Sequence, residues 1–410
     1  MLKTLKITDW KHFENIDMSF DSSVVIITGA NGSGKSTIMR ILSQHADWNM
    51  PEYATPEKDQ KTGLVSYFSR MLLSSWFGGN KKTEVELGTE IGSILYENGN
   101  SAPLNLQHNK SLAGYNVTIS GKQPVRAVHI PAYRPQFVHQ PISQISTTPR
   151  SKQEAFQNAA NFCRSNYLGQ QNQAGFYLKD TLLNWIHHGY GNELSPGNGL
   201  YLEMFSDFQN KLKNILPDTL GFEKIEPRNT DIVLKCKSGD YLIDASSGGI
   251  TALIDLTWQI FLANDGSPFF VMIDEIENHL HPSMQRSVLA NLSKAYPNAK
   301  FICTTHSPFV VGSVADSSVY ALRFNDKNRI VSELLDLSDK SGSASEVLRE
   351  ILGVPVTVPI WVEEKLNNLV KKYQDQNLTA EKIKEFTAEL KTEGLEKLSA
   401  IALASIASGK

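Results

Sequence analysis

Eight consecutive residues, Gly29-Ala30-Asn31-Gly32-Ser33-Gly34-Lys35-Ser36, fill every fixed position of G-x-x-x-x-G-K-[ST] directly after the apolar run Val24-Val25-Ile26-Ile27. At average residue frequencies this pattern arises by chance in roughly one chain of this length in a hundred. The β-branched run reads as a buried strand, and Ile38, Met39, Ile41 and Leu42 beyond the loop have the spacing of a helix's buried face. The chain must therefore pass from strand through glycine-rich loop to helix, the unit from which α/β sheets are built. Gly29, Gly32 and Gly34 let the backbone curl, so that the N–H groups of Asn31, Gly32, Ser33 and Gly34 point at phosphate oxygens where the helix N-terminus adds partial positive charge. Lys35 is then expected to reach the β- and γ-phosphates, Ser36 to hold Mg²⁺, and Thr37 to donate to the α-phosphate.

The 410 residues, 41% hydrophobic and 20% charged, suffice for two domains or for one domain with an insertion. A formal net charge of −3 means that any nucleic-acid contact needs a local basic patch. Cys163, Cys236 and Cys303 are odd in number and far apart, which argues against a disulfide framework or a zinc cluster and fits a reducing compartment. The N-terminus alternates like a strand and lacks a signal peptide's apolar core, and no uncharged apolar stretch is long enough to cross a membrane. A cytoplasmic location is expected.

Residues 1–45 read strand, turn, strand, phosphate loop, helix. From about 50 to 130, short alternating runs (Glu84 to Leu87, Gly92 to Tyr96, Tyr115 to Ile119) lie between Gly-, Asn- and Ser-rich turns, the pattern of an antiparallel meander. Val128 to Ile130 reads as a strand entering a loop at Tyr133-Arg134-Pro135, and residues 151–216 carry helical patterns, an expected arm. Strand signals return at Asp231 to Leu234 and Tyr241 to Ile243. A helix over Ile250 to Leu262 follows, and then two unalternated apolar strands, Phe269 to Ile273 and Lys300 to Thr304. Such strands between helices indicate a parallel sheet covered on both faces. The expected divisions are 1–135 and 226–340 as the two lobes of the α/β unit, 136–225 as a helical insertion and 341–410 as a charged helical region.

The strand Phe269 to Ile273 ends in Asp274-Glu275, which puts two carboxylates at the C-terminal sheet edge where α/β sheets take their ligands. Asp274 suits a Mg²⁺ contact. Glu275 suits orienting or deprotonating an attacking water, because a carboxylate beside a γ-phosphate needs no large pKa shift to accept its hydrogen bond. His306 follows another apolar strand and emerges on the same edge, within reach of a γ-phosphate. Upstream, Ser247-Gly248-Gly249 opens a helix and forms a second phosphate-binding geometry. One γ-phosphate cannot be held by two such loops of one subunit, so a dimer is expected.

The order of these motifs resembles that of the ABC-type ATPase heads of the SMC and RecF class: a Walker A loop, a Gln-bearing loop, a Ser-Gly-Gly signature, a Walker B strand ending Asp-Glu, and a switch histidine. More closely, Asp274-Glu275-Ile276-Glu277-Asn278-His279-Leu280-His281-Pro282 resembles the D-E-P-E-N-x-L-H-P run of the OLD-like ATPases, including the Septu- and PARIS-type anti-phage defence ATPases. The resemblance covers about 1–45 and 240–315. It implies a P-loop NTPase fold of the ABC-head type with an antiparallel β lobe and a helical insertion. It also implies a head-to-tail dimer with two ATP molecules between subunits, hydrolysis to ADP and phosphate, and Glu277 to His281 as a D-loop crossing the interface. Gln136 is the candidate Q-loop ligand of Mg²⁺, with Gln140 and Gln144 close by. The signature departs from Leu-Ser-Gly-Gly in having Ser246 before Ser247.

Trp361-Val362-Glu363-Glu364-Lys365 faintly resembles the Val-Glu-Gly-Lys start of a TOPRIM nuclease, but the glycine and any later Asp-x-Asp are missing. A charged amphipathic helix is expected there, and an effector such as a nuclease would be a separate protein. The alternatives are a RecF-like repair ATPase acting on DNA and an ATP-bound scaffold with little turnover; no membrane partner is expected. Phe13 is placed either near the nucleotide base or in the core. Arg150, Lys152 and Arg164 are placed on a solvated helix face or, alternatively, on DNA phosphates, and adjacent His187 and His188 face apart on a helix, against a metal site.

Overall fold

The computed structural model describes residues 1–58, 65–68, 89–107, 111–167, 174–191, 193, 196–336, 347, 360–374, 380–399 and 402–403. The run Glu84 to Leu87 lies outside them. The chain forms two compact units, Met1–Val347 and Leu348–Lys410.

The first unit is organised by a twelve-stranded sheet. Strand β1 (Leu2–Trp10) pairs antiparallel with β2 (Phe13–Ser19) and buries Leu2, Leu5, Ile7 and Trp10. Strand β3 (Val24–Gly29) is buried at every position, as its unbroken apolar run requires of a strand covered on both sides. After helix α1 (Lys35–Ser43) come β4 (Glu52–Tyr53), the separate hairpin β5 (Thr55–Lys58) and β6 (Val65–Phe68), and then β7 (Glu90–Tyr96), β8 (Ser101–Gln107) and β9 (Gly114–Ile119). Those last three form the expected meander, and β7 pairs with β1, so the meander extends the core sheet.

Strand β10 (Ala127–Ile130) leads to helices α2 (Lys152–Tyr167), α3 (Ala174–Tyr190) and α4 (Gly199–Ile215), where an arm was expected. Strands β11 (Phe222–Arg228), β12 (Asp231–Cys236) and β13 (Tyr241–Leu242) make a small antiparallel sheet. Helix α5 (Gly248–Ala263) is buried from Ile250 through Leu262 and packs against α2, α4 and β10. Strand β14 (Phe269–Ile273) follows, then α6 (Pro282–Gln285), α7 (Val288–Ala295), β15 (Ala299–Thr305), α8 (Pro308–Val311), β16 (Ser318–Phe324) and β17 (Ile330–Leu334).

Five strands, in the order β10-β14-β15-β3-β16, run parallel, and β17 then joins them to the antiparallel wing through β2. The register Ile273↔Cys303, Thr305↔Thr28 aligns the ends of β14, β15 and β3, so the loops that follow all leave from one edge. The second unit contains helices Ile360–Gln374 and Ala380–Thr392, whose own core includes Val362, Leu366, Val370, Tyr373, Phe386 and Leu390. The run Trp361 to Lys365 is therefore helical.

Candidate functional site: a nucleotide cleft at the sheet edge

The loop between β3 and α1 needs its glycines for two separate reasons. Gly29, Gly32 and Gly34 all have positive φ, at 144°, 78° and 87°. A Cβ at Gly29 would stand 2.6 Å from the Leu322 carbonyl, and one at Gly34 would stand 2.4 Å from Cζ of Phe13. Phe13 is thus buried beneath the loop's last glycine, a core placement, and also borders the cleft. Lys35, buried, donates to the carbonyls of Gly29 at 2.9 Å and Ala30 at 3.0 Å. Burial pushes its ammonium down to about 8, against the pull of the carboxylates of Glu275, Asp274 and Glu277.

The end of β14 delivers Asp274 beside Ser36, with Ser36 Oγ donating to Asp274 Oδ1 at 3.5 Å. Asp274 also accepts the Thr304 hydroxyl, and burial holds its carboxyl above the usual carboxylate range. Glu275 occupies the left-handed region at φ 46°. Its N–H donates to Thr304 Oγ1 at 2.7 Å, and its Oε2 accepts Asn278 Nδ2 at 2.7 Å. Glu277 turns inward and accepts the Thr305 hydroxyl at 2.8 Å together with the backbone N–H of His306. Burial, followed by the charge of Lys35, holds the pKa of His306 below the usual imidazole range, which favours the neutral ring.

These groups face an open cleft of about 450 Å³ lined by Lys11, His12, Phe13, Asn31, Gly32, Gly34, Lys35, Ser36, Thr37, Glu275, His306 and Ile330. Most of the residues read from sequence as one site therefore meet: the phosphate loop, Glu275 and His306 on the wall, and Asp274 behind Ser36. Ser247, Gly248, Gly249 and Gln136 are not among the lining residues. Gln136 lies instead against the signature, its Nε2 2.7 Å from where a Cβ on Gly248 would be.

Arg134 is the residue whose role sequence reasoning missed. Buried at 3% exposure, its guanidinium donates to five backbone carbonyls, those of Pro131, Asp274, Glu275, Ile276 and Asn278. It thereby holds the turn that follows β14. The sole signal in sequence was its place in the loop after the strand Val128 to Ile130.

The three basic residues expected on a solvated face or on DNA phosphates are half-buried and engaged within the chain. Arg150 pairs with Asp180 at 2.7 Å, Lys152 donates to the Asn264 carbonyl at 2.6 Å and lies 4.0 Å from the centroid of the Phe261 ring, and Arg164 donates to the Ala46 carbonyl at 3.2 Å. Local periodicity cannot foresee partners this distant in sequence. Among the described residues, His139, Asp231 and Asp244 gather ligand atoms within 4.8 Å of one another, but the buried Lys179 ammonium already bonds both carboxylates there. The three cysteines are free thiols, Cys236 and Cys303 buried and Cys163 half-buried.

The residues present fit a magnesium nucleotide. Ser33 has a buried hydroxyl without a partner, Gly32 leaves open space where a side chain would project, and Ser36 and Asp274 offer the hard oxygen donors that Mg²⁺ requires. Bound there, the ion would neutralise charge on the transferring phosphate. Glu275 would offer a carboxylate to a water, and Lys35 and His306 would offer donors to the phosphates.

Models of the AAA ATPase domain and the AAA domain match residues 144–311 and 4–179 respectively. The Septu protein PtuA of Bacillus thuringiensis is 25% identical over 47% of this chain and 53% of its own length. The Retron Ec83 probable ATPase of Escherichia coli is 32% identical over 31% of this chain and 23% of its own length. The chain thus spans about half the length of the first relative and less of the second. Among solved structures, the SMC head domain from Thermotoga maritima is similar with a TM-score of 0.42 and 14% identity, over 82% of this chain and 99% of that one. Among the described residues no helix is long and apolar enough to cross a membrane. The sheet topology and the phosphate-loop cleft are those of an α/β P-loop fold, and in sequence the chain is similar in part to AAA-type ATPase domains and to the Septu and retron ATPases.

Proposed function

We propose that this cytoplasmic ATPase works as a head-to-tail dimer in which ATP and Mg²⁺ are held between the cleft of one subunit and the Ser247 to Gly249 turn of the other. The dimer would control a separate effector, such as a nuclease, in defence against phage. One observation carries the proposal: the hydrolytic groups Lys35, Glu275 and His306 line one cleft, while the second phosphate-binding turn is not among its lining residues. A turn with that geometry has a use if a second copy brings it to the nucleotide. In this reading Asn31 to Thr37 hold the phosphates and Glu275 limits the lifetime of the closed dimer by hydrolysis. An effector or phage ligand would shift the equilibrium through its different affinity for open and closed states. The defence role is supported by the likeness to the Septu and retron ATPases. In the DNA-repair alternative, Arg150, Lys152 and Arg164 would contact DNA only by giving up bonds each makes within the chain.

The test is mass by light scattering of Glu275→Gln with and without ATP–Mg²⁺, beside phosphate release by wild type. An ATP-dependent rise to a dimer with wild-type turnover supports the reading. An unchanged mass with no phosphate released overturns it.

A further inference from the structure

The resemblance puts the segment after Glu275 at a dimer interface, and within its own subunit Glu277 and Asn278 of that segment are hydrogen-bonded to β15, Glu275 and the loop after β10. We infer that Asn278 is a positioning residue for Glu275 and links that carboxylate to the signature turn of the same chain. The inference rests on Glu275 being the base.

Both hydrogens of Asn278 Nδ2 are used, one toward Glu275 Oε2 at 2.7 Å and one toward the Ala132 carbonyl at 3.1 Å. The side chain therefore bridges the loop after β10 and the catalytic carboxylate. With Oε2 fixed, Oε1 is the oxygen left to take the attacking water. The backbone is set to match: Asn278 N–H donates to the Glu275 carbonyl at 3.0 Å, and both Glu275 and His279 are in the left-handed region, at φ 46° and 67°. Non-glycine residues hold that region only when their surroundings compel it.

The next residue completes the link. A Cβ on Gly249 would stand 3.1 Å from the His279 carbonyl and 3.5 Å from Met284 Sδ, so the first turn of α5 passes close to the backbone one peptide beyond Asn278. A displacement of Gly248-Gly249 on meeting a nucleotide would reach Glu275 by way of His279 and Asn278.

The experiment is a double-mutant cycle on the full chain, using Asn278→Asp, Glu275→Gln and the double variant. Asparagine and aspartate have the same shape, but the carboxylate donates neither bond. Fluorescent-ATP binding and a thermal melt confirm folding, and Asn278→Ser, which retains one donor, serves as a second variant. We expect Asn278→Asp to lower kcat by roughly 10- to 100-fold while KM and ATP affinity stay within about threefold, since a misaimed group costs rate and spares binding. We expect Asn278→Ser to recover part of that loss. In the Glu275→Gln background Asn278→Asp should add less than about twofold, because a residue acting through Glu275 has nothing left to position. Losses that multiply in the double variant, or a kcat within twofold of wild type for Asn278→Asp, overturn the inference. Wild-type turnover by Glu275→Gln itself would overturn the base assignment and this inference with it, an outcome distinct from a Glu275-dependent enzyme indifferent to Asn278.

Discussion

The carboxylate of Glu277 accepts the backbone N–H of His306, and with its other oxygen it accepts the Thr305 hydroxyl at 2.8 Å. The end of β15 is thus fastened to the turn after β14 by one side chain. Resemblance had put Glu277 at the start of a segment that crosses to a second subunit, but its carboxylate is committed within its own chain. Its consequence is the placement of His306, whose pKa is held low by burial and whose ring N–H would be within the cleft to donate to a phosphate oxygen.

Replacing Glu277 by alanine leaves a buried hydroxyl and a backbone N–H without their acceptor. The expected loss is about 1–3 kcal/mol of stability. Turnover should fall by roughly tenfold as His306 drifts from its position. Urea unfolding and phosphate release, measured on the same preparation, check both. Unchanged values in both assays would show that water replaces the carboxylate.

Gly34→Ala should abolish nucleotide binding while leaving the fold in place. Its φ of 87° strains any side chain, and the added methyl would meet Phe13 Cζ at 2.4 Å. Phe13→Leu in the same chain removes the collision and not the backbone strain, which is of order 1–3 kcal/mol. Rescue should therefore be partial. Calorimetric titration with a non-hydrolysable ATP analogue reads the difference.

Arg134→Lys exchanges a planar fork for a single ammonium that cannot reach five carbonyls at once. A destabilisation of about 3 kcal/mol is expected for bonds to a charged donor. It should be accompanied by loss of phosphate release, because the same carbonyls carry Asp274 and Glu275. Chemical denaturation checks the first and a phosphate assay the second.

Acid should weaken the fold through two buried histidines outside the cleft. Burial pushes His45 down to about 4 and His129 to about 3. Unfolded, each would take a proton near 6.5, so between about 6.5 and 4 the unfolded chain binds more protons than the folded one. Their contribution to stability is complete above about 6.5 and is lost as pH falls through that window, by up to about 1.4 kcal/mol per pH unit for each histidine. Urea midpoints from pH 4.5 to 7.5 should show the slope. His45→Gln should reduce it, and an unaltered slope would remove His45 as a source.

Local sequence determined the strand–loop–helix unit, because three glycines, a lysine and a serine must be contiguous to wrap a phosphate, and unalternated strands must be covered on both faces. It also determined that Asp274, Glu275 and His306 emerge at one edge, since parallel strands share a direction. The Asn278 and Glu277 contacts, the clamp by Arg134 and the inward use of Arg150, Lys152 and Arg164 were decided by tertiary structure. Arg134 reaches carbonyls 140 to 144 residues away, and Glu277 meets residues 28 and 29 positions on. Such bonds form only after β10, β14 and β15 have aligned, and no periodicity in the chain encodes which buried cation will find which carbonyl.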